Sequence, residues 1–84
     1  MVEKVFRALS NPVRTRIIEV IGNGELCACE IPSKVGRAQP TVSQYLKILE
    51  DAGILSSRRE GKKILYSVKN EAVFDLIESA KRIG

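Results

Sequence analysis

The sequence contains no histidine and no tryptophan. Without imidazole, no Ser-His-Asp or Cys-His catalytic arrangement can form, and most zinc sites lose a ligand they depend on. No glycine-rich phosphate loop is present, and the nucleophile candidates Ser43 and Cys29 have no identifiable base. The chain is therefore not expected to be an enzyme. Cysteine is scarce: two residues, Cys27 and Cys29, stand two positions apart. Such a pair is no disulfide framework, and in a reducing cytosol it is expected as thiols or as ligands. No apolar run approaches the length of a membrane span, and the first residues lack a signal-peptide pattern. A cytoplasmic protein with no membrane partner is the expectation.

What remains is short and basic. The 84 residues are 44% hydrophobic and 29% charged, which suits one domain, residues 1–84, with a modest core. A core that small is often supplemented by a second copy of the chain. Lys and Arg number 14 against 10 Asp and Glu, a net charge of +4, and the surplus is concentrated. Residues 1–31 are neutral, residues 32–69 carry eight bases and three acids, net +5, and residues 70–84 are net −1. A dispersed surplus would serve solubility alone. A concentrated one is what a phosphate-binding face requires.

Val2, Val5, Phe6 and Leu9 fall at i, i+3, i+4 and i+7, the apolar stripe of a short helix. Asn11-Pro12 opens a second helix, with Asn as the cap and Pro in the first position, where its missing N–H costs nothing. Its apolar face is Val13, Ile17, Val20 and Ile21, and Gly22-Asn23-Gly24 ends it. A third, short helix is expected to begin near Cys29 to Ile31, with Pro32 in its first turn, and to stop at Gly36. A fourth begins near Ala38 to Pro40, buries Val42, Leu46 and Leu49, and stops at Gly53. Ile54 to Ser57 and Ile64 to Val68 read as short strands, with a basic hairpin tip, Arg58-Arg59-Glu60-Gly61-Lys62-Lys63, between them. Asn70 caps a last helix whose apolar face carries Ala72, Val73, Leu76, Ile77, Ala80 and Ile83. The order predicts a mainly α fold with a small β-hairpin (α+β). Two short helices joined by a turn and followed by a basic hairpin are a winged helix-turn-helix.

The fourth helix divides cleanly on a wheel of ~100° per residue. Opposite its apolar face lie Pro40, Ser43, Gln44 and Lys47, flanked by Gln39 and Thr41. Gln pairs bidentately with adenine, Ser donates or accepts, and Lys reaches guanine or phosphate. The N-terminal half of such a helix enters the major groove in helix-turn-helix proteins. Arg58, Arg59, Lys62 and Lys63 on the hairpin then suit phosphate or minor-groove contact, and Lys34 and Arg37 near the turn suit the DNA backbone.

The segments Glu25-Leu26-Cys27-Ala28-Cys29-Glu30-Ile31, Gln39-Pro40-Thr41-Val42-Ser43-Gln44-Tyr45-Leu46-Lys47-Ile48-Leu49, Ala52-Gly53-Ile54-Leu55, Arg59-Glu60-Gly61-Lys62 and Tyr66-Ser67-Val68 closely resemble the ArsR/SmtB family of winged-helix transcriptional repressors. The resemblance runs from about Ala8 to the last helix. It implies a homodimer on a palindromic double-stranded DNA operator, released by an inducer, with the first and last helices as the dimer interface. It places groove reading on Gln39, Thr41, Ser43 and Gln44. Gln44-Tyr45 departs from the His-rich pair common there, a difference that bears on base preference.

The stretch Glu25 to Glu30 resembles the family's arsenite-sensing segment, in which a third cysteine joins the two; that position is Pro32 here. The N-terminal cysteines of cadmium-sensing relatives and the His-containing ligands of a last-helix zinc site are missing as well. No cofactor is expected to be required. Three roles stay open for Cys27 and Cys29: ligation of arsenite or another soft metal ion, with a small thiol or water as remaining ligand; sensing of oxidation; or inert packing. A helix beginning next to Cys29 would favour its thiolate. A bond between the two sulfurs is not expected, because residues two apart on a helix point to nearly opposite sides and the ring is tight. Ligation that distorts the start of the third helix would oppose the DNA-competent placement of the fourth. Beside the inducible repressor stand a thiol-redox-responsive or effector-independent regulator, and a winged-helix module that binds protein or RNA. Sequence preference and salt dependence separate the last from a duplex-binding protein.

Overall fold

Two capped corners frame the chain in the computed structural model, which describes residues 2–84. Helix α1 (Val2–Leu9) leads to a corner where Asn11 opens α2 (Pro12–Ile21). Asn11 Oδ1 accepts from the backbone N–H of Val13 at 2.8 Å and of Arg14 at 3.2 Å. Pro12 takes the position that needs no donor. After the short α3 (Ile31–Val35) comes α4 (Gln39–Asp51), which ends in a Schellman turn. There the Ile54 N–H reaches the Leu49 carbonyl and the Gly53 N–H that of Glu50, both at 3.0 Å. Gly53 sits at φ +79°, a region that a Cβ disfavours.

Three antiparallel strands, β1 (Glu25–Cys27), β2 (Leu55–Glu60) and β3 (Lys63–Val68), form one sheet in the order β1-β3-β2. The first was not expected from sequence. Three residues are too few to show a period of two, and β1 exists because the free edge of β3 offers backbone partners, Leu26 standing opposite Tyr66. The hairpin is also longer than expected. Arg58, Arg59, Glu60 and Lys63 lie in the ladder, with Glu60 paired to Lys63, so only Gly61 and Lys62 form the tip. Gly61 has φ +62° while Lys62 keeps a negative φ, the signature of a type II′ turn. The twist of such a turn matches that of the strands, so pairing continues to the end.

The most fully buried side chains are Ile17, Ile18, Ile31, Val42, Leu49 and Leu55. Each is worth about 2 kcal/mol over an exposed position. Ile18 was not on the expected face of α2. That helix packs against α1, α3, α4 and β3, so its buried arc is wider than one stripe. No polar side chain is buried among the described residues.

The two terminal helices keep apolar surface uncovered. On α1 the buried residue is Ala8, with Val5 and Leu9 packed against the core, whereas Val2 and Phe6 are 62% and 56% exposed. On α5 (Ala72–Ile83) Val73 and Ile77 are buried, but Ile83 is 89% exposed. Asn70 Oδ1 accepts from the Ala72 N–H at 2.9 Å and so acts as the expected cap. No helix among the described residues is long and apolar enough to cross a membrane.

Candidate nucleic-acid interface and cysteine pair

Helix α4 presents the face read from its wheel. Val42, Leu46 and Leu49 are buried, and Gln39, Pro40, Ser43, Gln44 and Lys47 are exposed, with Thr41 half-buried. Lys34 and Arg37 are exposed at the turn between α3 and α4, where the Arg37 guanidinium donates to the Gly36 carbonyl at 3.0 Å.

The hairpin cations divide into two kinds. Arg59, Lys62 and Lys63 are exposed, without an ion pair among the described residues. Arg58, expected as a tip cation of the same kind, is engaged. Its guanidinium donates to both carboxylate oxygens of Glu25, at 2.6 and 2.7 Å, and to Glu60 at 3.2 Å. It therefore spans the sheet from β2 to β1. The hydrogen bond from Arg58 holds the Glu25 carboxyl below its ordinary pKa, against a smaller opposing effect of burial. The same carboxylates push the Arg58 guanidinium further up.

The cysteine pair corrects one expectation. Cys27 closes β1 and is buried, Cys29 is exposed in the following turn, and their sulfurs are joined in a disulfide. The argument against a bond assumed helical geometry. The segment is instead a strand end and a turn, and α3 begins only at Ile31. The Cα atoms stand 5.2 Å apart, inside the range that disulfides span. The Cys29 N–H points at Cys27 Sγ at 3.2 Å, and the Glu30 N–H at the Cys27 carbonyl at 2.9 Å. No cluster of three or more His, Cys, Asp or Glu placed to hold a metal occurs among the described residues. Toward a soft ion the reduced pair thus offers two sulfurs and no third protein ligand.

These parts meet in one open groove of about 360 Å³. Cys27, Ala28 and Cys29 line one side, Gln39 and Ser43 of α4 another, and Lys62, Lys63 and Ile64 of the hairpin a third. The Ala28 N–H also donates to the Ile64 carbonyl at 2.9 Å, so the cysteine turn is tied directly to the hairpin. Sequence reasoning linked the pair to α4 through α3 alone. It also missed Tyr66 as a lining residue, although Ile64, Tyr66 and Val68 show the period of two that places them on one sheet face. Burial, with the Glu50 carboxylate second, raises the Tyr66 phenol pKa.

Tyr45 does not join this face. It is half-buried, its hydroxyl accepts from Asn11 Nδ2 at 3.4 Å, and the Arg14 guanidinium lies over its ring, 5.1 Å from the centroid. Of the Gln44-Tyr45 pair only Gln44 is presented outward.

A family model described as bacterial regulatory protein, arsR family, matches residues 11–57, from the α2 cap into β2. The chain is 40% identical over 80 residues to a cadmium resistance transcriptional regulatory protein homologue of Staphylococcus aureus, covering 94% of this chain and 66% of that one. It is 41% identical over 78 residues to a probable mercury resistance operon repressor of Streptomyces lividans, covering 93% of this chain and 62% of that one. The chain thus spans less than two thirds of either relative's length. The fold is similar to the solution structure of a homodimeric winged helix-turn-helix DNA-binding domain from Mycobacterium bovis, a possible ArsR-family regulator. The TM-score is 0.85 at 29% identity, over 98% of this chain and 76% of that one. The family is one of transcriptional regulators, not enzymes. With a winged helix-turn-helix fold and a family match that begins at the Asn11 cap, the chain belongs to the arsR family of bacterial regulatory proteins.

Proposed function

We propose that the chain is a transcriptional repressor. It binds a palindromic operator as a homodimer and leaves it when a soft metal or metalloid, arsenite foremost, ligates the reduced Cys27/Cys29 pair. The observation that carries this reading is the shared groove, where the sulfur pair stands beside Gln39 and Ser43 of α4 and Lys62 and Lys63 of the hairpin. The N-terminal half of α4 enters the major groove, with Gln39, Thr41, Ser43, Gln44 and Lys47 at base edges and nearby phosphates. Arg59, Lys62 and Lys63, joined by Lys34 and Arg37, contact phosphates. Arg58 joins them from a position fixed by Glu25. The exposed apolar residues Val2, Phe6 and Ile83 on α1 and α5 suit a two-fold partner interface.

A cellular thiol reductant supplies two electrons and two protons to open the disulfide. Arsenous acid then condenses with the two thiols, forming two As–S bonds and releasing two waters, and the third arsenic position keeps hydroxide or takes a small thiol. Ligation that alters the turn pulls on the Ala28–Ile64 bond to the hairpin and on the start of α3. The inducer acts only as far as it binds the free form more tightly than the DNA-bound form. Two relatives, named as a cadmium resistance regulatory protein homologue and a probable mercury resistance operon repressor, support a thiophilic ion. The bonded sulfurs favour one second reading, in which dithiol and disulfide forms themselves differ in operator affinity.

Fluorescence anisotropy of the reduced protein on duplex DNA from upstream of its own gene tests these readings. Salt-sensitive binding, weakened about tenfold or more by arsenite, is expected, with Cys29→Ser retaining DNA affinity but losing the response. Indifference to arsenite with loss of affinity on oxidation would select the redox reading. Equal affinity for operator and random duplex would remove the repressor.

A further inference from the structure

Tyr45 is the one polar side chain between Gln39 and Lys47 that DNA contact leaves unused, and its surroundings give it a different task. Arg14, on α2, donates through Nε to the Ala8 carbonyl at 2.6 Å and through Nη2 to the Arg7 carbonyl at 3.0 Å. Both carbonyls belong to the last turn of α1, where acceptors lack helical partners and the helix end is negative. The same guanidinium stacks on the Tyr45 ring. The Tyr45 hydroxyl in turn accepts a hydrogen bond from Asn11 Nδ2, and the Oδ1 of Asn11 caps α2. The end of α1, the start of α2 and the middle of α4 are thus pinned at one point by three side chains, Asn11, Arg14 and Tyr45. Elsewhere α1 and the C-terminal half of α4 are parted by an open groove of about 200 Å³, lined by Lys4, Arg7, Ala8, Ile48, Asp51 and Ala52.

We propose that Arg14 and Tyr45 form a positioning joint that sets the angle between the dimer helix α1 and the recognition helix α4, and thereby the half-site separation that the dimer accepts on DNA. The inference rests on the homodimer of the proposed function. Two recognition helices of a dimer must land one helical turn apart, about 34–36 Å. A joint held by several bonds fixes that distance; a loose one tolerates a shifted half-site. Arginine suits the position because its planar fork reaches two carbonyls and still lays a flat face over the ring, which a compact ammonium with no planar face does not do. Gln44 and Lys47 stay exposed on α4, so loosening the joint leaves the contacting groups intact.

The test uses the palindrome that the wild-type protein selects from a random duplex pool, with its native spacer and with one base pair added or removed. Anisotropy on the three duplexes gives the spacing discrimination. Tyr45→Phe, which keeps the ring, is expected to discriminate as wild type does. Tyr45→Leu and Arg14→Lys are expected to lose about two- to fivefold of the discrimination, with salt slope and sedimentation mass unchanged. Arg14→Lys conserves charge and serves as the folded companion if circular dichroism shows Tyr45→Leu to be unfolded. Full discrimination in the folded variants would overturn the joint alone. A wild-type protein that is monomeric, or blind to spacing, would overturn the dimeric repressor and the joint with it.

Discussion

The face built by α4 and the hairpin and the face built by α1 and α5 are both incomplete in this chain, in opposite chemical senses. The first is polar and cationic: Lys47, Arg59, Lys62 and Lys63 stand in solvent. The second is apolar: Val2, Phe6 and Ile83 are mostly exposed. Polyanion satisfies the first and salt weakens it, whereas a second apolar surface satisfies the second and salt changes it little. Arg14 and Tyr45 join the two faces mechanically.

The contrast breaks hardest at Phe6. A charge there leaves the monomer folded, because the side chain is already exposed, but opposes any apolar partner. Phe6→Glu is expected to sediment as a monomer at micromolar concentration and to lose about a hundredfold or more in operator affinity, while random-duplex affinity stays close to wild type. A dimeric Phe6→Glu protein would move the interface elsewhere. The polar face divides more finely. Gln44→Ala is expected to lower the ratio of operator to random-duplex affinity by about five- to a hundredfold. Lys62→Ala should weaken every duplex alike and reduce the salt slope by about 0.9. If Gln44→Ala kept the full ratio, the assignment of the reading face would fail.

The smallest effect belongs to the Glu25–Arg58 pair, which is exposed and therefore screened. The folded pKa of Glu25 is lowered, so the pair contributes above the unfolded carboxylate value and fades as the pH falls through the folded one. The melting temperature of Glu25→Gln should trail wild type slightly at neutral pH. The gap should close in acid and in high salt. A gap that persisted in acid would mean that Glu25 supports the sheet by packing instead.

The two faces were not equally legible from sequence. Helix α4 carries its instructions locally: proline in the first turn, a buried stripe at regular spacing, glycine past the end, and polar residues opposite. The apolar stripes of α1 and α5 were visible as periodicity, but which residues this chain covers itself depended on how α1 leans on α2, and Ala8 took the buried place. Strand β1 was invisible because its hydrogen bonds go to residues about forty positions away, Glu25 pairing with Ser67. The cysteine geometry followed β1: once Cys27 became a strand end, the helical argument against a bond lapsed. In the sequence Tyr45 stood only as the neighbour of Gln44, in a pair that bears on base preference. Its role came from Asn11 and Arg14, across a corner that sequence spacing does not measure.

The core without a buried polar side chain has a consequence for signalling. The sequence also has no histidine, the one side chain whose ordinary pKa places its charge change between pH 5 and 8. A histidine-based pH switch is therefore excluded from this fold. In the proposed repressor, sulfur chemistry at Cys27 and Cys29 is the channel by which an inducer or an oxidant acts on it.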